Sequence, residues 1–387
     1  MSQRIIQIFF ALLRYAICGT KLTETEKAQF SEEQLPELIS LSNKHDVGHL
    51  LVLGLKQNGL IPKDNKKIEQ ILFKAVYRYE QQQFEYVQLC SALESAKIPF
   101  IPLKGSVLRD YYPESWMRTS CDTDILVHRE DLETAISYLE ENLQYTLTER
   151  ATHDVSLFSP TKNHVELHFD LLEEGRANNA ISVLSTVWEN VSLHENSNYW
   201  YDMTDEFFYF YHIAHMAKHF ESGGCGVRPF IDLVVLDRIA GVDKAKRDGL
   251  LSAGGLLQFA NVVRKQSSIW FGGEEADELS IQMQSFILHG GVYGSFDNRV
   301  ALQQKNKGGK IGYLLSRIFI PYDKLRRYYP VLNKHRWLTP FMQIRRWFML
   351  LRPDVAKMAK QELTTNKNID KSKADEMNLF LDNIGLR

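Results

Sequence analysis

The chain has 387 residues, 44% of them apolar and 24% charged, with 46 Lys and Arg against 48 Asp and Glu. That is an ordinary globular composition with enough apolar material for a core, and its balanced charge gives no reason to expect a polyanion partner for the chain as a whole. The length favours two or three cooperating units, and four scattered cysteines (Cys18, Cys90, Cys121, Cys225) without Cys-x-x-Cys spacing argue against a disulfide framework or a zinc knuckle.

The opening run MSQRIIQIFFALLRYAICGT resembles an export signal only superficially, because Arg14 interrupts it and no small-residue cleavage pattern follows. Ile5, Ile6, Phe9, Leu12, Leu13 and Ala16 fall on one helical stripe, which predicts an amphipathic helix packed on the body. No uninterrupted stretch of about 18 apolar residues occurs, so a transmembrane span is not expected, and the expected location is the cytoplasm.

Residues 1–64 read as a helical N-terminal segment, and a long helix is predicted from about Asn65 to Ala96. The texture then changes. IPFIPLKG (98–105) suits a buried strand ending in a tight turn, 106–112 a helical turn or two, and DILV (124–127) a second strand. Helical period returns from Arg129 to Leu143, followed by three strand-like runs, QYTLTE, VSLFS and HVELHFD. The expected fold class is α+β, with a small mixed sheet in a core over 65–175. Helices fill 176–300, with Thr204 as the N-cap of DEFFYFYHIAHMAKHF, and a basic aromatic helical region with a polar tail occupies 301–387. Between Lys305 and Arg352 stand twelve Lys and Arg against the single acid Asp323.

The chemistry concentrates in CDTD. Alternation in a strand points Asp122 and Asp124 to one face, their Cα atoms about 6.5 Å apart. Two unit charges at that distance repel by about 3 kcal/mol at an effective dielectric near 20. A hard divalent cation relieves this best, since Mg²⁺ takes oxygen ligands and bridges carboxylates to phosphates. A third ligand is on offer in NHVELHFD, where His164, Glu166, His168 and Asp170 share one face and Val165, Leu167 and Phe169 the other. Glu166 is the first choice and Asp170 the competitor. Upstream, Lys104, Gly105 and Ser106 end the first strand, where glycine lets backbone approach an anion and helix N-terminal N–H groups can hold phosphate oxygens.

The ordered set IPLKGSVL, YYPESWMRTSCDTDILV and HVELHFD resembles the polymerase β-like nucleotidyltransferase superfamily. Within it the set is similar to a bacterial uncharacterised nucleotidyltransferase family of the LKG…DxDxLV type. The resemblance is strongest over about 98–170, and HIAHMAKHF, GCGVRPFIDL and PYDKLRRYYPVLNKHRWLTPFMQIRRW extend it. It implies that Gly105 and Ser106 bind nucleotide phosphates and that Asp122, Asp124 and Glu166 hold two Mg²⁺ or Mn²⁺ ions.

Other residues join the candidate set. Lys104 offers a point charge, Arg118 could hold a triphosphate or pair with the carboxylates, and Lys218 and His219 are candidate phosphate or base contacts. His212, His215 and His219 share one helical face, a spacing zinc sites use, but packing or substrate contact is their expected role. The expected activity is transfer of a nucleoside monophosphate group from a nucleoside triphosphate such as ATP to an unidentified acceptor, a small molecule or protein. The alternatives are a catalytically weak nucleotide-sensing or partner-binding module, and nucleic-acid binding through the basic C-terminal region, which is less favoured.

Overall fold

The computed structural model describes residues 1–61, 65–171, 178–349 and 352–387. The expected domain limit at 175–176 lies outside the described residues, as does residue 64 of the limit before it. The chain forms two compact units, Met1–Lys218 with Gly226–Val292, and His219–Cys225 with Tyr293–Arg387.

The first unit opens with helices α1 (Gln3–Cys18), α2 (Glu24–Ala28), α3 (Leu35–Lys44), α4 (Gly48–Gln57) and α5 (Lys66–Ser95). Helix α1 buries Ile5, Phe9, Leu12, Leu13 and Ala16, the stripe its sequence predicts. Ser2 caps its start and Gly19, at φ 69°, ends it in the left-handed conformation that costs glycine least.

A five-stranded mixed sheet follows, in the order β1-β2-β5-β4-β3. Its strands are β1 (Phe100–Pro102), β2 (Asp122–Val127), β3 (Thr146–Arg150), β4 (Asp154–Phe158) and β5 (His164–His168). Helix α6 (Gly105–Leu108) leaves β1, and α7 (Leu132–Leu143) connects β2 to β3. Strands β2 and β5 run parallel, and the other pairs are antiparallel. The sheet has two unlike faces because each strand alternates. Ile125 and Val127, Val165 and Leu167, and Val155 and Leu157 share a buried cluster with Leu89 and Leu93 of α5 and Ala135, Ile136 and Leu139 of α7. At about 1.5–3 kcal/mol for each fully buried large apolar side chain, this face anchors the fold. The other face carries Asp122, Asp124, His164, Glu166, His168 and Asp154.

Strand β2 starts at Asp122, two residues before the expected DILV, so both aspartates lie within the ladder. After α8 (Asn178–Leu184) comes a short hairpin, β6 (Val191–Leu193) with β7 (Tyr201–Met203), where helix is expected. Its partly exposed residues lack an apolar repeat. Helix α9 (Asp205–Glu221) starts just after Thr204, whose buried hydroxyl has no partner among the described residues, so the side chain makes no cap bond. Helix α10 (Arg228–Leu236) and further helices to His289 complete the unit.

The second unit is mostly helical over 296–349 and 353–383, around Val300, Ala301, Tyr313 and Ile369. Arg317 pairs with Glu362 at 2.6 Å, and Gln304 donates to the Asn366 carbonyl at 2.8 Å. Among the described residues no helix is long and apolar enough to cross a membrane.

Candidate active site

The parallel register sets Asp122 beside His164 and Asp124 beside Glu166, while Leu126 is opposite His168. Side chains two apart along a strand point the same way, so the three carboxylates and two imidazoles converge on one face. Ligand-capable atoms of Asp122, His164 and Glu166 lie within 4.8 Å of one another, and so do those of Asp124, Glu166 and His168. Glu166 is common to both groups. Asp170 lies past the end of β5, where it pairs with Arg129 at the surface.

Each aspartate is half tied down. Ser120 Oγ donates to Asp122 Oδ1 at 2.7 Å. Lys104 Nζ donates to Asp124 Oδ1 at 2.8 Å, and His168 Nε2 lies 2.8 Å from the same oxygen. The Oδ2 atoms of both aspartates have no hydrogen bond among the described residues. His168 Nε2 also approaches Glu166 Oε2 at 3.4 Å.

The electrostatics separate the two aspartates. Burial pushes the Asp122 carboxyl upward, and the neighbouring Asp124 charge pushes it further. Burial acts on Asp124 the same way, but the Lys104 ammonium and the His168 hydrogen bond override it and hold Asp124 well below the usual carboxylate range. Lys104 moves reciprocally upward: burial opposes its charge, and Asp124 more than compensates. His168 is raised because its bonds to Asp124 and Glu166 outweigh burial and the Lys104 charge.

The turn beneath the acidic face is tightly built. Lys104 sits at φ 46° and ψ −117°, a backbone conformation that disfavours side chains, and its ammonium reaches Asp124 from there. A side chain on Gly105 would meet Ser120 Oγ at 3.1 Å and Ser120 Cβ at 3.2 Å, so glycine lets the turn close on the segment leading into β2. The Ser106 hydroxyl is buried without a partner among the described residues. Below the turn, the buried guanidinium of Arg109 donates to the Gly105 carbonyl at 3.2 Å and to Gln83 at 3.0 Å. Arg109 has no ion pair with a carboxylate among the described residues; its guanidinium lies over the Tyr79 ring, 5.6 Å from the centroid, and feels the neighbouring Asp110 charge.

A family model described as uncharacterised nucleotidyltransferase matches residues 31–271. The chain belongs to this nucleotidyltransferase family. No curated protein and no solved structure matches the chain.

Within the nucleotidyltransferase span the remaining expected residues are placed unevenly. Arg118 is buried and joined to Asp232 through two bonds, Nε to Oδ1 at 2.7 Å and Nη2 to Oδ2 at 3.0 Å, while Nη1 donates to the Thr119 carbonyl at 2.6 Å. Tyr112 donates to the same carboxylate at 2.6 Å. The flanking residues are held as firmly: Arg228 and Thr119 both bind Asp46, and His49 Nε2 lies 2.7 Å from the Met117 carbonyl. Segment 117–119 is therefore a clamped lead-in to the Asp-x-Asp strand. Lys218 is seven positions past Tyr211 on α9, about 10 Å along the helix at 1.5 Å per residue. His219 falls in the second compact unit. His212 is buried, with Nε2 3.0 Å from the Pro229 carbonyl, which is a packing role.

Tyr211 and His168 join the nucleotidyltransferase site without having been expected in it. The buried Tyr211 hydroxyl has no hydrogen-bond partner among the described residues. Burial raises its pKa, and it feels the charges of Lys104, Asp124, Glu166 and Asp122. In FYFYHIAHMAKHF it reads as one more core aromatic. His168 was on the polar face by alternation, but nothing in the sequence shows its ring reaching Asp124.

Proposed function

We propose that this nucleotidyltransferase transfers a nucleoside monophosphate group from a nucleoside triphosphate to an acceptor, with Asp122, Asp124 and Glu166 as ligands of divalent cations. The observation that carries this reading is the half-bonded state of the aspartates. Each has one oxygen anchored by protein and one without a hydrogen bond among the described residues, on the face where Glu166 stands.

The donor set suits the cation. Oxygens of three carboxylates fit Mg²⁺ or Mn²⁺, and added positive charge relieves the repulsion that raises Asp122. Bound there, two such ions would polarise the triphosphate and lower the pKa of the acceptor group. The protein's own residues account for the rest. Lys104 and His168 keep Asp124 ionised and fix its direction. Gly105 opens backbone N–H groups at the turn, the Ser106 hydroxyl is available to a phosphate oxygen, and Arg109 adds positive field from below. Arg118 acts through Asp232 by holding the lead-in segment, so it positions β2 rather than binding phosphate. Glu166 would accept the acceptor's proton. Lys218 remains a proposed contact for phosphate or base.

The test is incubation of the protein with Mg²⁺ or Mn²⁺ and each α-labelled nucleoside triphosphate, offering itself, other proteins, small metabolites and RNA as acceptors. Metal-dependent label transfer that disappears in Asp124→Asn supports the assignment. Transfer that persists in Asp124→Asn refutes it, and a wild type that binds no nucleotide with either metal refutes the enzyme reading altogether.

A further inference from the structure

Next to the Asp-x-Asp cluster lies a second group of ligand-capable side chains, two of which, His153 and Asp154, the proposed reaction does not use. Antiparallel register places Asp154, at the start of β4, opposite His168, at the end of β5. His153 precedes Asp154, and its carbonyl accepts the amides of Phe169 at 2.9 Å and Asp170 at 3.3 Å, which pins it against the end of β5. The His153 and His168 ring centres are 5.8 Å apart, and His153 Nε2 is 3.0 Å from Asp154 Oδ2. Ligand-capable atoms of the three residues lie within 4.8 Å of one another.

A histidine beside an aspartate needs no metal, and these two alone would be an ordinary pair. The third residue changes the reading. His168 Nε2 faces the Asp124 carboxylate, which only accepts, so that nitrogen carries its proton. Its Nδ1 is buried and has no partner among the described residues. An unsatisfied buried polar atom costs about 1–3 kcal/mol, and such atoms are rare without a reason. The arrangement of carboxylate, histidine and open imidazole nitrogen is the one by which an outer carboxylate orients a metal-binding histidine.

We propose that His153, Asp154 and His168 bind one first-row transition-metal ion of the zinc class, distinct from the oxygen-ligated cations at Asp122, Asp124 and Glu166. Two imidazole nitrogens and one carboxylate match borderline metals such as Zn²⁺, Co²⁺ or Fe²⁺, and match Mg²⁺ poorly. Three protein ligands leave coordination positions open. Because the same ring bonds to Asp124, an ion on Nδ1 would hold that carboxylate in place. This inference does not depend on the nucleotidyl-transfer reading.

The experiment uses metal-free full-length protein without nucleotide, titrated with Co²⁺ and followed by its visible absorption. One equivalent should bind, with affinity unchanged by excess Mg²⁺. His153→Asn and Asp154→Asn should each weaken binding by at least about 10- to 100-fold, the range seen when groups that only orient a metal ligand are removed. Asp122→Asn should bind Co²⁺ as the wild type does, and circular dichroism should show all variants folded. The proposal is overturned if the wild type takes up no Co²⁺. It also fails if His153→Asn and Asp154→Asn titrate like wild type, or if Asp122→Asn alone abolishes binding.

Discussion

Two buried acidic sites within the first unit are built on opposite plans. Asp232 is saturated: Arg118 grips both its oxygens and Tyr112 adds a third bond. Among the described residues Asp122 and Asp124 are each held by one oxygen only, although Asp124 is buried and Asp122 partly so. Full satisfaction makes a rigid frame with no capacity left over. Half satisfaction, with a raised carboxyl on Asp122 and a depressed one on Asp124, stores capacity for a cation. The clamp at 117–119 feeds directly into β2, so the saturated site aims the unsaturated one.

The comparison breaks most visibly at the frame. Arg118→Ala leaves Asp232 buried and unpaired, and the expected loss is about 3–5 kcal/mol of stability, measured by denaturant unfolding. A loss under about 1 kcal/mol would mean that the pair is incidental, as exposed ion pairs usually are.

A second expectation is that part of the acid sensitivity belongs to the frame. His45 is buried, both its ring nitrogens lack partners among the described residues, and burial lowers its pKa to about 4 from 6.5. The unfolded chain therefore takes up this proton at higher pH than the folded one. The contribution is fully present above about pH 6.5 and is lost as pH falls toward 4, amounting to about 3 kcal/mol at 1.36 kcal/mol per pH unit. Unfolding free energy measured across that window should fall steeply in wild type, and the slope should flatten in His45→Gln.

The smallest effect on folding belongs to the turn. Ser106→Ala removes a buried hydroxyl with no partner among the described residues, so stability should change by less than about 1 kcal/mol in either direction. Nucleotide affinity, read by titration with a fluorescent ATP analogue and Mg²⁺, should nevertheless fall at least about tenfold, since one hydrogen bond to a charged group contributes about 1.5–3 kcal/mol and about 1.4 kcal/mol is a factor of ten. A stability loss with unchanged affinity would make Ser106 part of the frame.

Much of the unsaturated site was legible because strand alternation is a strict rule. HVELHFD places Glu166 on one face and Val165 and Leu167 on the other, and the structure sets Glu166 beside Asp124 in register. The long helix over 66–95 and the opening amphipathic helix follow from apolar spacing in the same way. The saturated site was hidden for an equally physical reason. Arg118 and Asp232 are 114 positions apart, and no local pattern tells an arginine that will hold phosphate from one that will hold a distant carboxylate. Lys104 was expected at phosphate, but its left-handed backbone angle directs it to Asp124, and such an angle cannot be read from a lysine. Tyr211 was obscured by a run of aromatics, and the β6–β7 hairpin by its lack of apolar alternation.

Our proposal is that the half-bonded carboxylates take a divalent cation together with a nucleotide. It is tested most directly by Mg²⁺-dependent binding of a non-hydrolysable ATP analogue to wild type, Asp124→Asn and Glu166→Gln, with thermal unfolding of each protein measured in parallel. The account predicts Mg²⁺-dependent binding in wild type, a loss of at least about tenfold in affinity in each variant, and unfolding midpoints that stay within a few degrees. Equal nucleotide affinity in all three proteins, with or without Mg²⁺, would contradict it.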